Sequence, residues 1–274
     1  MTAPATQTAP SFDTDYDLEH FLAGPVPPDR EFLYRRLSDA TVALVAEAPP
    51  GRVLDVGSGG SKELARLAPL GWRAVALDPS TRMLGFAGLA RDGAAERNMR
   101  LVRGIGERLP FADATFERVM CQASLDHFAQ PRDFMREVAR VLRPDGRAVI
   151  SLQNFDGLTC RVGRALHPLA KASRLHHCGH ATCWEIPPDH TFRGNWDVVC
   201  RLGEPWLALE RAHGVSLLCM MYGWGHALRR VPAPLRERLL RGLDRAVRGR
   251  PSAADVIVSV WRPRGGAPIV DPTA

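Results

Sequence analysis

One local pattern constrains this chain more than any other. Val53-Leu54-Asp55-Val56-Gly57-Ser58-Gly59-Gly60-Ser61 reads as a buried strand that runs into a glycine turn, and Val75-Ala76-Leu77-Asp78 follows about twenty residues later as a second strand ending in a carboxylate. Two such units side by side place a nucleotide-like cofactor at the carboxyl ends of neighbouring parallel strands. Glycine at 57 and 59 admits positive φ and lets a ligand approach the backbone. The helix that follows offers unpaired N–H groups, and Asp78 can accept from both ribose hydroxyls.

A dinucleotide would satisfy these features too, but its fingerprint requires a third glycine where Lys62 stands. The Ser61-Lys62 helix start disfavours a buried pyrophosphate. S-adenosylmethionine (SAM) carries no phosphate and instead presents an α-ammonium, whose surroundings Asp55 can help to set.

Further along, βα alternation predicts strands at 52–56, 73–77, 100–103, 116–121 and 147–152. Helices are expected at 29–48, 61–70, 80–91 (capped by Ser80) and 131–142 (Pro131 in its first turn), with a turn at 143–146. This alternation predicts an α/β fold: a doubly wound, mostly parallel, Rossmann-like sheet with helices on both faces. Beyond Asn154 the rhythm changes. Helices are expected at 157–175, 196–213 and 234–248, a loop at 176–193, and strands at 215–221 and 253–261. The organisation expected is a flexible arm at 1–28, a cofactor-binding core at 29–154, a helical substrate cover with the sixth strand at 155–250, and a last core strand with a flexible tail at 251–274.

Several motifs in order carry a family resemblance. Val53–Ser61 and Ala76-Leu77-Asp78-Pro79-Ser80 with Met83-Leu84 are joined by Gly104-Ile105-Gly106-Glu107-Arg108-Leu109-Pro110-Phe111. Phe116-Glu117-Arg118-Val119, Leu125-Asp126-His127-Phe128 and Arg140–Arg147 follow. The chain resembles class I SAM-dependent methyltransferases, in particular the small-molecule enzymes of the methyltransferase 11 type. The likeness covers residues 50–155 well and the rest weakly. It implies SAM as cofactor, held by Asp55, Gly57, Gly59, Asp78, Pro79, Met83, Gly106, Glu107 and Gln122. Three departures from the family pattern stand out. Ser61 replaces the third glycine, Glu117 replaces an Asp, and Ile105 stands where an Asp usually accepts from the adenine amino group. The last leaves adenine to backbone groups near Gly106 and Glu107.

The reaction implied is in-line transfer of a methyl group to O, N, C or S of a small organic acceptor, with O-methylation the first expectation. An acceptor that carries a proton needs a base. His127, after the fourth strand, is one candidate, the alternative being a structural histidine over Phe128. His190, with Asp189 to orient it, is the other, the alternative being an exposed loop histidine. The segment His176-His177-Cys178-Gly179-His180-Ala181-Thr182-Cys183 fits no standard zinc spacing, so no metal ligands are assigned. Trp184, Trp196, Trp206, Tyr222 and Trp224 either pack the added helices or line a pocket for a flat substrate.

Bulk properties narrow the setting. The net charge is +6, yet Lys62 and Lys171 are the only lysines and no like-charge block occurs, so nucleic-acid binding is disfavoured. The arginine-rich stretch 229–250 and the apolar run 214–228 leave peripheral contact with a membrane open, as for a quinone or lipid methyltransferase. A non-catalytic SAM-binding regulator is the remaining alternative. Six scattered cysteines and no visible secretory signal predict reduced thiols and a cytoplasmic setting. Nothing in the pattern assigns an oligomeric state.

Overall fold

The structure is a computed structural model, and it describes residues 26–89, 97–172, 183–187, 190–221 and 223–265. Seven strands make one sheet in the order β3-β2-β1-β4-β5-β7-β6. They are β1 (Arg52–Val56), β2 (Arg73–Asp78), β3 (Met99–Arg103), β4 (Phe116–Cys121), β5 (Leu142–Gln153), β6 (Leu207–Val215) and β7 (Val256–Pro263). Strands β1 to β5 run parallel, whereas β7 lies antiparallel between β5 and β6. Strand order reverses between β1 and β4, which is where an open α/β sheet opens a crevice at its carboxyl edge.

Alternation along the strands explains why both faces are covered. Leu54 and Val56 join Phe134 and Val138 of α4 (Pro131–Val141) and Val199 of α6 (Trp196–Leu202) in one core. Val53 faces the other way, into a second core with Leu33, Leu37 and Val45 of α1 (Pro28–Val45) and Leu64 and Leu67 of α2 (Lys62–Leu67). Burying a side chain such as Phe134 contributes about 1.5–3 kcal/mol. The doubly wound sheet expected from the sequence is therefore the observed one. Helix α3 (Thr81–Leu89) starts as expected, with Ser80 Oγ accepting from Met83 N at 3.2 Å, and Pro131 opens α4.

The C-terminal half corrects three expectations. The helix expected over 196–213 stops at Leu202, and residues Leu207–Val215 form β6. Gly203 ends the helix where a Cβ would lie 2.4 Å from Trp261, and the chain then pairs with β7. Of the residues expected as a strand at 215–221, Val215 ends β6 and the rest form a loop in which Ser216, Leu218 and Met220 have φ of 63°, 66° and 60°. Side chains rather than a neighbouring strand take its N–H groups. Asp244 accepts from Ser216, Thr159 from Leu218, Asp255 from Cys219 and Asp29 from Met220, at 2.8–3.2 Å. Finally, the turn expected at 143–146 lies within β5, where the register against β4 shifts.

Helices α5 (Leu158–Ala172), α7 (Trp224–Arg229) and α8 (Ala233–Arg248) complete the described fold. Helix α8 packs beside β6, with its buried Asp244 bridged to Arg36 of α1 at 3.2 Å. The expected arm at 1–28 lies outside the described residues up to residue 25, and the tail does so from 266. Tyr222 also lies outside them, as does the His/Cys-rich segment apart from Cys183. No described helix is long and apolar enough to cross a membrane.

Candidate functional site

The glycine turn folds as its residues dictate. Gly57 (φ +68°) and Gly59 (φ +48°) adopt left-handed backbone. Leu77 O accepts from Gly57 N and Ser58 N at 2.9 and 3.1 Å, which ties the end of β1 to β2. Gly57 is also required by packing, since a Cβ there would lie 2.5 Å from Ser124 Cβ in the turn after β4. Gly59 has only Met83 Cε near its missing Cβ, at 3.2 Å, and Gly60 has nothing within 4 Å. That side of the turn is open.

Around the turn sit three carboxylates. Asp55 is 3% exposed, and burial, then Glu63, then Asp78 push its carboxyl well above the ordinary range. Asp78 Oδ2 accepts from Gly59 N and its Oδ1 from Ser80 N, each at 2.9 Å, which fixes its carboxylate at the turn. Glu63 Oε1 accepts from Gln122 Nε2 at 3.0 Å. Ser58 Oγ, Ser61 Oγ and Gln122 Oε1 are buried without a hydrogen-bond partner. Such groups are costly unless something else satisfies them. A ligand bearing an ammonium and hydroxyls suits this set; a pyrophosphate would be repelled by it.

The other expected cofactor residues lie along the same edge. Pro79 O accepts from Arg103 Nε at 3.0 Å, and Met83 lies over Gly59. Gly106 is buried under Phe128 and Phe134, whose atoms would approach a Cβ to 2.7 and 3.0 Å. Glu107 Oε1 accepts from Gln130 N at 3.3 Å, and Ile105 is 38% exposed. Arg140 clamps this loop from below by donating to Leu109 O, Phe111 O and Glu137. Phe128 also comes within 3.7 Å of a Cβ built on Gly57, so one ring spans the glycine turn and the 104–111 loop.

The two candidate histidines meet. His127 ends a 3-10 turn (Leu125–His127), His190 comes from the loop after α5, and their rings stand edge to face at 4.8 Å. Asp126 lies between them, with Oδ2 3.2 Å from His190 Nδ1 and Oδ1 3.9 Å from His127 Nε2. Thr191 holds the histidine loop in place. Its N donates to Asp126 O at 2.7 Å and its hydroxyl to Phe128 O at 2.6 Å. The carboxylate beside His190 is thus Asp126; Asp189 lies outside the described residues. Ser124 Oγ donates to Gly57 O at 2.8 Å, so the cluster starts two residues from the glycine turn.

Glu63 and Asp126 were not among the residues expected from the sequence. Each stands beside a recognised motif, Glu63 in the first turn of the helix after the glycines and Asp126 before His127. A separate cavity of about 280 Å³, lined by residues including Asn154, Arg161, Asn195 and Trp196, opens beyond β5. None of the expected cofactor residues lines it.

Comparison with known proteins gives the same outline. Residues 54–150 match the family model described as "Methyltransferase domain". The chain is 33% identical over 99 residues to the uncharacterized methyltransferase YcgJ of Bacillus subtilis, a stretch covering 36% of this chain and 39% of YcgJ. It is 38% identical over 111 residues to demethylmenaquinone methyltransferase of Mycolicibacterium vanbaalenii, covering 40% of this chain and 46% of that protein. The matched stretches thus span less than half of these relatives. Among solved structures, YcgJ superposes with a TM-score of 0.53 at 18% identity, covering 85% of this chain and all of that one. The [4+2]-cyclase SpnF superposes at 0.56 with 16% identity, covering 84% and 82%. A domain of the matched family implies SAM as its cofactor. Residues 54–150 of this chain thus match a methyltransferase domain, and they lie in a Rossmann-like sheet that continues to β7.

Proposed function

We propose that this chain is a SAM-dependent methyltransferase that modifies a small organic acceptor, with a hydroxyl oxygen as the first choice of acceptor atom. The observation that carries this is the convergence of Asp55, Glu63 and Asp78 on an open glycine turn. Three acids in that space favour a cationic ligand over a phosphorylated one. When bound, SAM supplies a methyl group on a positively charged sulfur. Asp78 would accept from the ribose hydroxyls. Asp55, Glu63 and Gln122 would receive the ammonium, and backbone groups at Gly106 and Glu107 the adenine. Asp126, His127 and His190 stand at the acceptor end and would handle the acceptor's proton. Alignment of this kind supplies about 7–11 kcal/mol of rate acceleration.

Two other readings have specific support. The exposed Leu235 and Leu239 beside the arginines of α8 suit a membrane-surface acceptor, as does the likeness to a quinone methyltransferase. Cosedimentation with anionic vesicles tests it. SpnF shows that the fold can serve a cyclase. A non-catalytic SAM-binding regulator remains the other alternative. A cytoplasmic setting belongs to the main reading and rests on five free cysteines among the described residues.

The deciding experiment is calorimetric titration with SAM and its demethylated product, followed by transfer of a labelled methyl group to an acceptor panel. Asp78→Ala should weaken SAM binding by about 10- to 150-fold, the value of one charge-assisted hydrogen bond. No binding by the unmodified protein would refute the proposal. Binding without transfer would move it to the regulator or cyclase reading.

A further inference from the structure

We infer that Asp126, His127 and His190 form a binding site for one divalent transition-metal ion, zinc first among them. This rests on the reading that the cluster is the acceptor end of a methyltransferase site. The three side chains each offer one ligand atom, and all three atoms lie within 4.8 Å of one another. Donors around an ion held at about 2.0–2.1 Å in tetrahedral geometry stand about 3.3 Å apart. Asp126 Oδ2 is already 3.2 Å from His190 Nδ1, and its other oxygen, Oδ1, is 3.9 Å from His127 Nε2. His127 has the room to close that gap, because its side chain is 41% exposed while those of His190 and Asp126 are 8% and 6% exposed.

A second observation points the same way. Asp126 is 4% exposed, yet its Oδ1 is buried with no hydrogen-bond partner. A buried carboxylate oxygen is rarely left so unless something fills the place. The surroundings also resemble a supporting shell, since Thr191 fixes the backbone carbonyl of Asp126 from the residue next to His190.

The donor set selects the ion. Two imidazoles and one carboxylate suit zinc and its neighbours rather than magnesium or calcium, which take oxygen ligands. Three protein ligands leave a fourth position, on the side where His127 meets solvent. A hydroxylated acceptor of phenol or enol type fits there. With Asp126 and the histidines holding the ion instead of acting directly as base, the acceptor's oxygen would bind the ion and release its proton to solvent. That oxygen would then form the C–O bond as the C–S bond of the sulfonium breaks, leaving a neutral thioether.

The test uses the full chain, stripped with chelator and titrated with Co²⁺, then with Zn²⁺ against a competing chelator. One ion per chain is expected, with visible ligand-field bands and no thiolate charge transfer. Asp126→Asn and His190→Gln should each weaken zinc binding by at least ~10-fold. His127→Gln should do so too, and this exposed position leaves the fold intact if the buried variants fail. Cys178→Ser and Cys183→Ser should leave binding unchanged. The inference is overturned by no stoichiometric binding, by thiolate bands, or by binding that survives His127→Gln and Asp126→Asn. SAM titrations on the same samples keep the two claims apart. SAM binding without metal sinks only this inference, and metal binding without SAM sinks the cofactor reading.

Discussion

Gly57 and Gly60 lie three residues apart in one turn, and the structure assigns them opposite tolerances. At Gly57, alanine meets two penalties. Its φ is +68°, which costs a side-chain-bearing residue about 1–2 kcal/mol. Its Cβ would also lie 2.5 Å from Ser124 Cβ, and relieving such overpacking costs about 1–3 kcal/mol. Gly57→Ala should therefore lose about 2–5 kcal/mol, which at ~2–4 °C per kcal/mol lowers Tm by about 4–20 °C. Gly60 has no positive φ and no atom within 4 Å of its Cβ position, so Gly60→Ala should stay within about 0.5 kcal/mol. Urea denaturation of both variants measures this directly. A double variant isolates the clash: with Ser124→Gly, the change at Gly57 should cost about 1–3 kcal/mol less than alone. Equal stability of the two single variants would refute the reasoning, and strict additivity in the cycle would refute the clash.

Two acids give predictions of opposite practical use. Asp55 has its carboxyl pushed up in the folded protein, so its contribution to stability is present at low pH and lost as pH rises. Asp55→Asn should thus stabilise the free protein at pH 8 while weakening SAM binding by about 10- to 150-fold, as thermal melts and calorimetry would show. A variant that is less stable at pH 8 would contradict the burial argument. Asp255 is pushed up to about 6, chiefly by burial, although Thr159, Cys219 and Ser216 hydrogen-bond to it. Its contribution is present below about pH 4, declines as pH rises, and is gone above pH 6, a difference of up to about 3 kcal/mol. Asp255→Asn should flatten the stability profile between those values, checked by urea melts across that range.

What the sequence could show depended on how local each signal was. The glycine turn needs residues that tolerate φ of +68° and +48°, and Gly57 and Gly59 announce that by themselves. Strands β1 and β2 were legible because both faces of a central parallel strand are buried, giving unbroken apolar runs. Strand β6 was not, because it lies at the sheet's edge. Its exposed Glu210 and Arg211 form ion pairs with Arg147 and Glu47, so the segment carries the polar pattern of a solvated helix. The loop after β6 was harder still. Ser216, Leu218 and Met220 rarely adopt left-handed backbone. They do so here because acceptors from Asp29, Thr159, Asp244 and Asp255 take the loop's N–H groups, and those four residues come from across the chain. The site divides in the same way. Asp78 sits at the end of its own strand motif, where its task follows from position. Asp126 had no visible task beside His127, because its use depends on His190, which the fold returns from 64 residues further along the chain. Glu63 likewise looks like a favourable acid in a helix's first turn until Asp55 is found beneath it. The same juxtaposition gives both acids their chemistry. Asp126 stands between two imidazoles and Glu63 beside a second acid, so in each case a bound cation would meet the carboxylate together with groups from elsewhere in the chain.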